Sequence, residues 1–208
     1  MPPINGAQPN LDPETSETYE AGAKLSFFDS RLGLTGGLFQ VTKSNATYTD
    51  PTTGDAVATG ERQRVRGFEL GVTGQITDAW NVNVAYSYLQ SKVLTGASAG
   101  NRVGGVPANA VSLWTTYNLS TLLPTLSGKL TVGGGIVYRS AIYTASNNTY
   151  RVPETFSVDA LLSYEFDNYR IAINGYNLTN NLNYGSFFNN RAIPPAGRAV
   201  TVTASVKF

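Results

Sequence analysis

The side chains able to do chemistry here are carboxylates, basic groups, hydroxyls and phenols, because the sequence contains neither Cys nor His. That excludes thiol nucleophiles, His-based triads and the usual zinc sites, so no metal ligand set is expected. Glu20, Lys24, Glu69, Asp159, Arg170 and Lys207 sit in segments of alternating polarity and share their polar parity. Such charges could line a transport path or hold a ligand; alternatively they form a solvated, mutually paired wall, which a water-filled interior tolerates. No two carboxylates stand in a motif that demands acid–base work, so neither an enzyme nor a cofactor is expected. Gly133-Gly134-Gly135 has the glycine density of a phosphate loop, but it lies mid-strand, with no helix following and no Lys placed for a phosphate. A second group comprises Tyr138, Arg139, Tyr143, Phe187, Phe188 and Arg191, at or beyond the ends of the alternating segments. Aromatics and guanidinium groups there could bind an anionic, aromatic ligand by stacking and charge-assisted hydrogen bonds. Tyr138 and Tyr143 have a second reading, as members of an aromatic girdle.

The elements that position these groups are strands. Alternation puts Tyr19, Ala21, Ala23, Leu25 and Phe27 on one face and Glu20, Gly22, Lys24 and Ser26 on the other. Trp80, Val82, Val84, Tyr86 and Tyr88 repeat the pattern, as do Phe156, Val158, Ala160, Leu162 and Tyr164, and finally Val200, Val202, Ala204, Val206 and Phe208. The pattern predicts about nine or ten strands of about ten residues, the length of a tilted membrane-spanning strand rather than a globular one. Short turns fall near Asp29, Asp78, Leu123-Pro124 and Asp167-Asn168, and long polar connections at about residues 45–62, 91–107, 141–152 and 180–198. Short turns on one side and long loops on the other is the arrangement of an outer-membrane barrel. Phe27, Trp80, Tyr117, Tyr164, Tyr169 and Phe208 all lie near the short-turn side, where a ring of aromatics meets lipid headgroups.

Composition agrees. Charged residues make up only 14% of the chain and hydrophobic ones 41%, and the net charge of +1 suggests no nucleic-acid partner. No apolar run reaches the roughly eighteen residues of a membrane helix. The start, Met1-Pro2-Pro3-Ile4-Asn5-Gly6, lacks the basic and apolar regions of an export signal, so a fragment or a mature segment is expected. The fold expected is all-β, an antiparallel transmembrane β-barrel in the bacterial outer membrane, with residues 1–14 as a leading segment and 15–208 as the barrel segment. Two other folds fit the alternation: a small self-closed barrel of porin or adhesin type, and a soluble β-sandwich. A lipase-like enzyme on a barrel would need a base that a chain without His lacks. The last strand, ending in Val206 and Phe208, resembles the assembly signal of outer-membrane proteins, read by the barrel-insertion machinery.

Several segments resemble the TonB-dependent siderophore receptors. They are Pro13 to Lys24 with its Tyr19-Glu20-Ala21-Gly22, Arg66-Gly67-Phe68-Glu69-Leu70, Asp78-Ala79-Trp80, Val106-Pro107 leading to Leu113-Trp114-Thr115-Thr116-Tyr117, and Asn177-Leu178-Thr179-Asn180 followed by Pro194 to Arg198. They occur in family order. The run from Gly133 to Ser140 resembles the catecholate type. The resemblance implies ferric-siderophore binding outside the cell and energy-coupled uptake through TonB. It also implies that this chain is the carboxy-terminal part of a barrel of about twenty-two strands. The amino-terminal plug, through which TonB acts, falls outside the resemblance. Small inward residues (Gly22, Gly33, Gly71, Gly133 and Gly135) suit such a wide barrel.

Overall fold

Neighbouring segments of matching parity can pair without turning an apolar face over, and the chain uses that repeatedly. The computed structural model describes residues 13–49, 56–188 and 191–208. In chain order its strands are β1 (Thr15–Phe27), β2 (Leu32–Thr49), β3 (Ala56–Thr77), β4 (Trp80–Val93), β5 (Asn109–Asn118), β6 (Lys129–Arg139), β7 (Ile142–Tyr143), β8 (Arg151–Val152), β9 (Thr155–Phe166), β10 (Tyr169–Tyr176), β11 (Ser186–Phe188), β12 (Arg191–Ile193) and β13 (Ala199–Val206). Two hairpins, β7–β8 and β11–β12, stand apart, and the other strands make one nine-stranded sheet in sequence order. Every pairing is antiparallel.

Residues opposite each other in a ladder share a face, so the register tests the expected alternation. Leu25, Leu34, Val72, Val84, Leu113, Ile136 and Val158 are successive partners from β1 through β6 to β9. Closer to the short turns, Trp80, Tyr117, Val132, Leu162, Ile173 and Val202 form a parallel row. One face of the whole sheet is therefore apolar. Its side chains have no second layer beneath them: Val202 is 68% exposed and Ile171 52%. A β-sandwich would cover that face with another sheet, and the described residues form none. A self-closed barrel would pair β1 with β13, yet among the described residues these are the two free edges of the sheet.

Connections alternate in length. Residues 28–31, 78–79, 119–128 and 167–168 link strands at one end, and the longer connections cluster at the other. The turn after β1 is made by Phe28, Asp29 and Ser30, all with positive φ (54°, 53° and 67°). The connection between β5 and β6 contains a short 3-10 turn, Leu119–Thr121, whose Ser120 N–H donates to Asn118 Oδ1 at 3.1 Å.

The expectation of a loop at 45–62 needs correction. β2 runs to Thr49 and β3 begins at Ala56, so most of this stretch is a hairpin carried beyond the sheet's neighbours. Register shifts between Lys43 and Ala46 and between Ala46 and Thr47, with Asn45 at φ 55°, let polar residues remain in the ladder. Polarity reads as loop, but a strand projecting into water needs no apolar face. The 141–152 and 180–198 stretches likewise contain the small hairpins β7–β8 and β11–β12.

Candidate functional site: the polar wall and its external rim

The face opposite the apolar one is built from small and polar side chains. Lys24, Thr35, Gly71, Ala85, Ser112, Val137 and Ser157 form one row across it. The next row toward the long loops runs Gly22, Gly37, Glu69, Ser87, Ala110, Arg139 and Thr155. Gly22, Gly33, Gly71, Gly133 and Gly135 all take this parity. At Gly135 a Cβ would lie 2.3 Å from the Leu113 carbonyl oxygen and 2.5 Å from Trp114 Cε3, so the glycine admits the indole of its register partner. Glu20, Glu69, Asp159 and Arg170 stand on this wall as expected. Arg170 pairs with Glu165, its register partner, at 3.3 Å.

At the long-loop end the rim is tied by asparagines. Asn148, at φ 57°, accepts from Arg102 N–H at 3.0 Å and donates to Arg102 O at 2.8 Å, joining the 94–108 loop to the segment between β7 and β8. Asn101 Nδ2 donates to Ser146 O at 3.0 Å, and Gly105 N–H donates to Tyr143 O at 2.7 Å. A Cβ on Gly104 would sit 2.6 Å from Ala145 Cα, which measures how closely the two loops approach.

A second asparagine cluster completes the ladder of β9. β10 reaches only as far as Gly175 opposite Ala160, which leaves the first residues of β9 without a strand on that side. Leu178 N–H donates to Val158 O at 2.8 Å, and Asn183 takes Phe156 N–H at 2.9 Å while donating to Phe156 O at 2.9 Å. Asn183 thus does for Phe156 what a paired strand residue would do. Buried Asn177, at φ 47°, gives its backbone N–H to Asp159 Oδ1 at 2.8 Å and holds Asn181 through both backbone groups. Asp159 also accepts from Ser157 at 2.8 Å.

The predicted ligand-facing residues separate on this frame. Arg139 lies on the polar wall in the same row as Glu69, and its guanidinium donates to Tyr184 O at 3.2 Å. Tyr138 takes the opposite parity, in a row with Tyr86, Val111 and Phe156, so it belongs to the apolar face, as its reading as a member of the aromatic girdle requires. Tyr143 is anchored in the β7–β8 hairpin opposite Arg151. Phe187 and Phe188 are on β11 and Arg191 on β12, with Phe188 opposite Arg191 in the register. The side chains of Phe187, Phe188 and Arg191 lie outside the described residues.

Val206 closes β13 opposite Tyr169, and fully exposed Phe208 follows after Lys207 N–H donates to Asn168 O at 2.9 Å. Two members of the expected aromatic ring are register partners, Trp80 and Tyr117, and a third, Tyr169, faces Phe166, which the expected set did not include.

Outside the strands, Glu14 receives the Lys43 ammonium at 2.8 Å and the Thr47 backbone N–H at 2.7 Å. These hydrogen bonds to its charged form, led by Lys43, hold the Glu14 carboxyl at about 2. Sequence inspection missed Asn148 and Asn183, and gave Asn177, singled out as part of a family-like segment, no bonding role. The available signal was Asn density, since Asn is the non-glycine residue most at ease with positive φ.

Comparison with known proteins gives a consistent result. The family description "TonB dependent receptor-like, beta-barrel" matches residues 2–178. The chain is 33% identical over 99% of its length to the probable TonB-dependent siderophore receptor PiuA of Acinetobacter baumannii, and covers 28% of that protein. The crystal structure of the siderophore receptor PiuA superposes with a TM-score of 0.83 at 31% identity, over 95% of this chain and 29% of that one. The ferric-catecholate import receptor Fiu of Escherichia coli K12 superposes with a TM-score of 0.78 at 26% identity, over 95% of this chain and 28% of that one. The chain therefore spans less than a third of the length of these relatives.

Proposed function

Since the chain belongs to the TonB-dependent receptor β-barrel family of the bacterial outer membrane, we propose that it is the carboxy-terminal portion of a larger barrel that takes up ferric siderophore. The observation that carries this reading is the pair of free edges. Among the described residues β1 and β13 each have a strand on one side only, and β1 alone is thirteen residues long. In hydrocarbon each unpaired backbone group costs several kcal/mol, so an apolar-faced sheet of this kind is completed by further strands. The names of the relatives, siderophore receptor and ferric-catecholate import receptor, support iron chelate as the cargo, with the catecholate type as one class to test.

In this reading Arg139, Tyr143 and the β11–β12 hairpin with Phe187, Phe188 and Arg191 contribute to the external rim of the ligand path. Arg139 supplies charge-assisted hydrogen bonds to an anionic chelate. The polar wall, cleared by its glycines, faces the interior of the barrel, and TonB acts through a plug supplied elsewhere in the parent protein. Val206 and Phe208 serve as the signal read by the assembly machinery. As a receptor and transporter segment it carries out no chemical conversion.

Uptake of radiolabelled ferric catecholate, measured in cells lacking the parent gene and complemented with wild-type or R139A, tests the reading. Restored, TonB-requiring uptake by wild type and weaker uptake by R139A are expected. Uptake that is indifferent to loss of the gene for every chelate class tried would refute it.

A further inference from the structure

The connections on the short-turn side are not alike. Residues 28–31, 78–79 and 167–168 each contain an aspartate (Asp29, Asp78 and Asp167), and Asp78 is paired with Arg31. The connection 119–128 is longer than any of these, carries Leu119, Leu122, Leu123, Pro124 and Leu126, and contains no charged residue. Two of its leucines are left outside any core: Leu122 is 64% exposed and Leu123 44%. Single exposed leucines are ordinary on a water-facing turn, but two adjacent ones in a stretch without charge make a contiguous apolar tip.

The backbone fixes this tip. Leu122 N–H donates to Leu119 O at 2.9 Å, and Leu126 N–H donates to Leu123 O at 2.9 Å. Ser120 Oγ accepts from Leu130 N–H at 2.7 Å and donates to Gly128 O at 3.0 Å, which ties the 3-10 turn to the start of β6. The direction of lean is set by β9. The Tyr164 hydroxyl donates to Ser127 O, and Tyr164 is the register partner of Leu130 on the apolar parity. Gly128, at φ 98°, comes so close that a Cβ there would lie 3.2 Å from Tyr164 Oη and 3.3 Å from Phe166 Cβ, both residues of that parity. The return limb of the turn therefore lies on the lipid side of the sheet.

Depth agrees with that lean. Tyr117, paired with Trp80, belongs to the aromatic ring. Leu122 follows it by one strand residue and the 3-10 turn, a reach of no more than about 9 Å. The headgroup layer is about 5–8 Å deep on each side of the hydrocarbon. A turn that leans outward rather than hanging straight down stays inside that layer, where leucine side chains meet the acyl boundary.

We propose that Leu122 and Leu123 form an interfacial anchor, seated where headgroups meet acyl chains in the phospholipid of the periplasmic leaflet. The anchor continues the apolar face through Tyr164 and Phe166. The assignment concerns how the β5–β6 hairpin is held in the membrane and goes beyond the uptake reading, which concerns the inside of the barrel.

The chain contains no Cys, so L122C, L123C, V202C and D78C each give it one site for a nitroxide label. The test uses the full-length barrel containing this chain, in vesicles of phosphatidylethanolamine and phosphatidylglycerol. Electron paramagnetic resonance then compares collisions of each label with oxygen, which concentrates in lipid, and with a water-soluble nickel chelate. V202C is the lipid reference, and D78C, whose side chain is 91% exposed among the polar turns, is the aqueous one. Labels at 122 and 123 are expected to favour oxygen as V202C does. A label at 122 that favours nickel as D78C does would overturn the proposal. So would one shielded from both reagents, which would mean that protein rather than lipid covers the tip. If labelled L122C does not insert, L123C decides by the same criteria. None of these outcomes depends on transport, so the uptake reading stands or falls separately.

Discussion

Replacing Val84 by Arg, beside the adjacent replacement of Ala85 by Arg, asks which face of the sheet meets lipid. Val84 sits between Val72 and Leu113 in the central apolar row, four residues from Trp80 and four from Tyr88. Each aromatic is therefore about 13 Å away along the strand, or about 10 Å along the normal at a tilt of about 40°, which puts Val84 near the midplane. Arginine on the lipid face at that depth costs about 2–4 kcal/mol, a roughly thirty-fold to several-hundred-fold shift in the folding equilibrium. Ala85 lies on the polar wall between Gly71 and Ser112, where small neighbours leave room and water solvates the charge. Its substitution should change stability by less than about 0.5 kcal/mol. Urea titration of the barrel refolded into lipid vesicles, followed by heat-modifiable gel mobility, gives both values in one experiment. If A85R unfolds at lower urea than V84R, the assignment of faces made throughout is inverted and the reasoning from alternation fails.

Gly135→Ala should destabilise the sheet by about 1–3 kcal/mol through overpacking, since its Cβ would meet the Leu113 carbonyl oxygen at 2.3 Å; Gly37→Ala, whose nearest contact is Ala21 O at 3.8 Å, should be near neutral in the same titration. Asn148→Ala removes the hydrogen bonds to Arg102 and should raise hydrogen exchange and protease cutting in the 94–108 loop by roughly fivefold or more, as expected for about 1–3 kcal/mol of lost local stability. The contact of Glu14 with Lys43 and Thr47 depends on pH. Its folded-state value of about 2 lies below the ordinary 4.5, so the contribution is complete above about 4.5 and is lost as pH falls toward 2. The protection factors of amides at the long-loop end of β1 and β2, corrected for the intrinsic pH dependence of exchange, should therefore fall across that interval in wild type and stay flat in E14Q.

Much of the sheet was legible because a period of two leaves little freedom. Once Leu25 and Val84 are assigned to one face, a slip of one residue anywhere would bury Lys24 or Asn83 in lipid, so parity fixes the register. The aromatic ends Trp80 and Tyr169 were legible for the same reason, since interface depth restricts where such rings are stable. Parity has no authority beyond the membrane. The stretch 45–62 reads as loop because its residues are polar, yet the Lys43–Ala46 bulge keeps β2 and β3 paired through it. Tyr138 and Arg139 were grouped by their place at the external strand ends, and the register separates them, because adjacent strand residues face apart and Tyr138 takes the parity that its girdle reading requires.

The rim was least legible because asparagine there imitates backbone. An amide side chain carries the same donor and acceptor as a peptide group, so Asn183 can satisfy both the N–H and the C=O of Phe156 without any strand being present. Asn177 turns the chain at positive φ and spends its own side chain on Asn181, while its backbone N–H meets Asp159. Nothing in the spacing of these asparagines identifies their partners, because the partners lie on β9 and are brought close by the β9–β10 register. A composition that reads as loop thus performs the work of a strand, extending the wall of β9 past the end of β10. That extension also places Tyr184, whose carbonyl receives the Arg139 guanidinium. The rim cation proposed to meet ligand is therefore oriented by a ladder made partly of side chains, and it should lose that orientation if Asn183 is replaced by Leu while Arg139 itself is untouched.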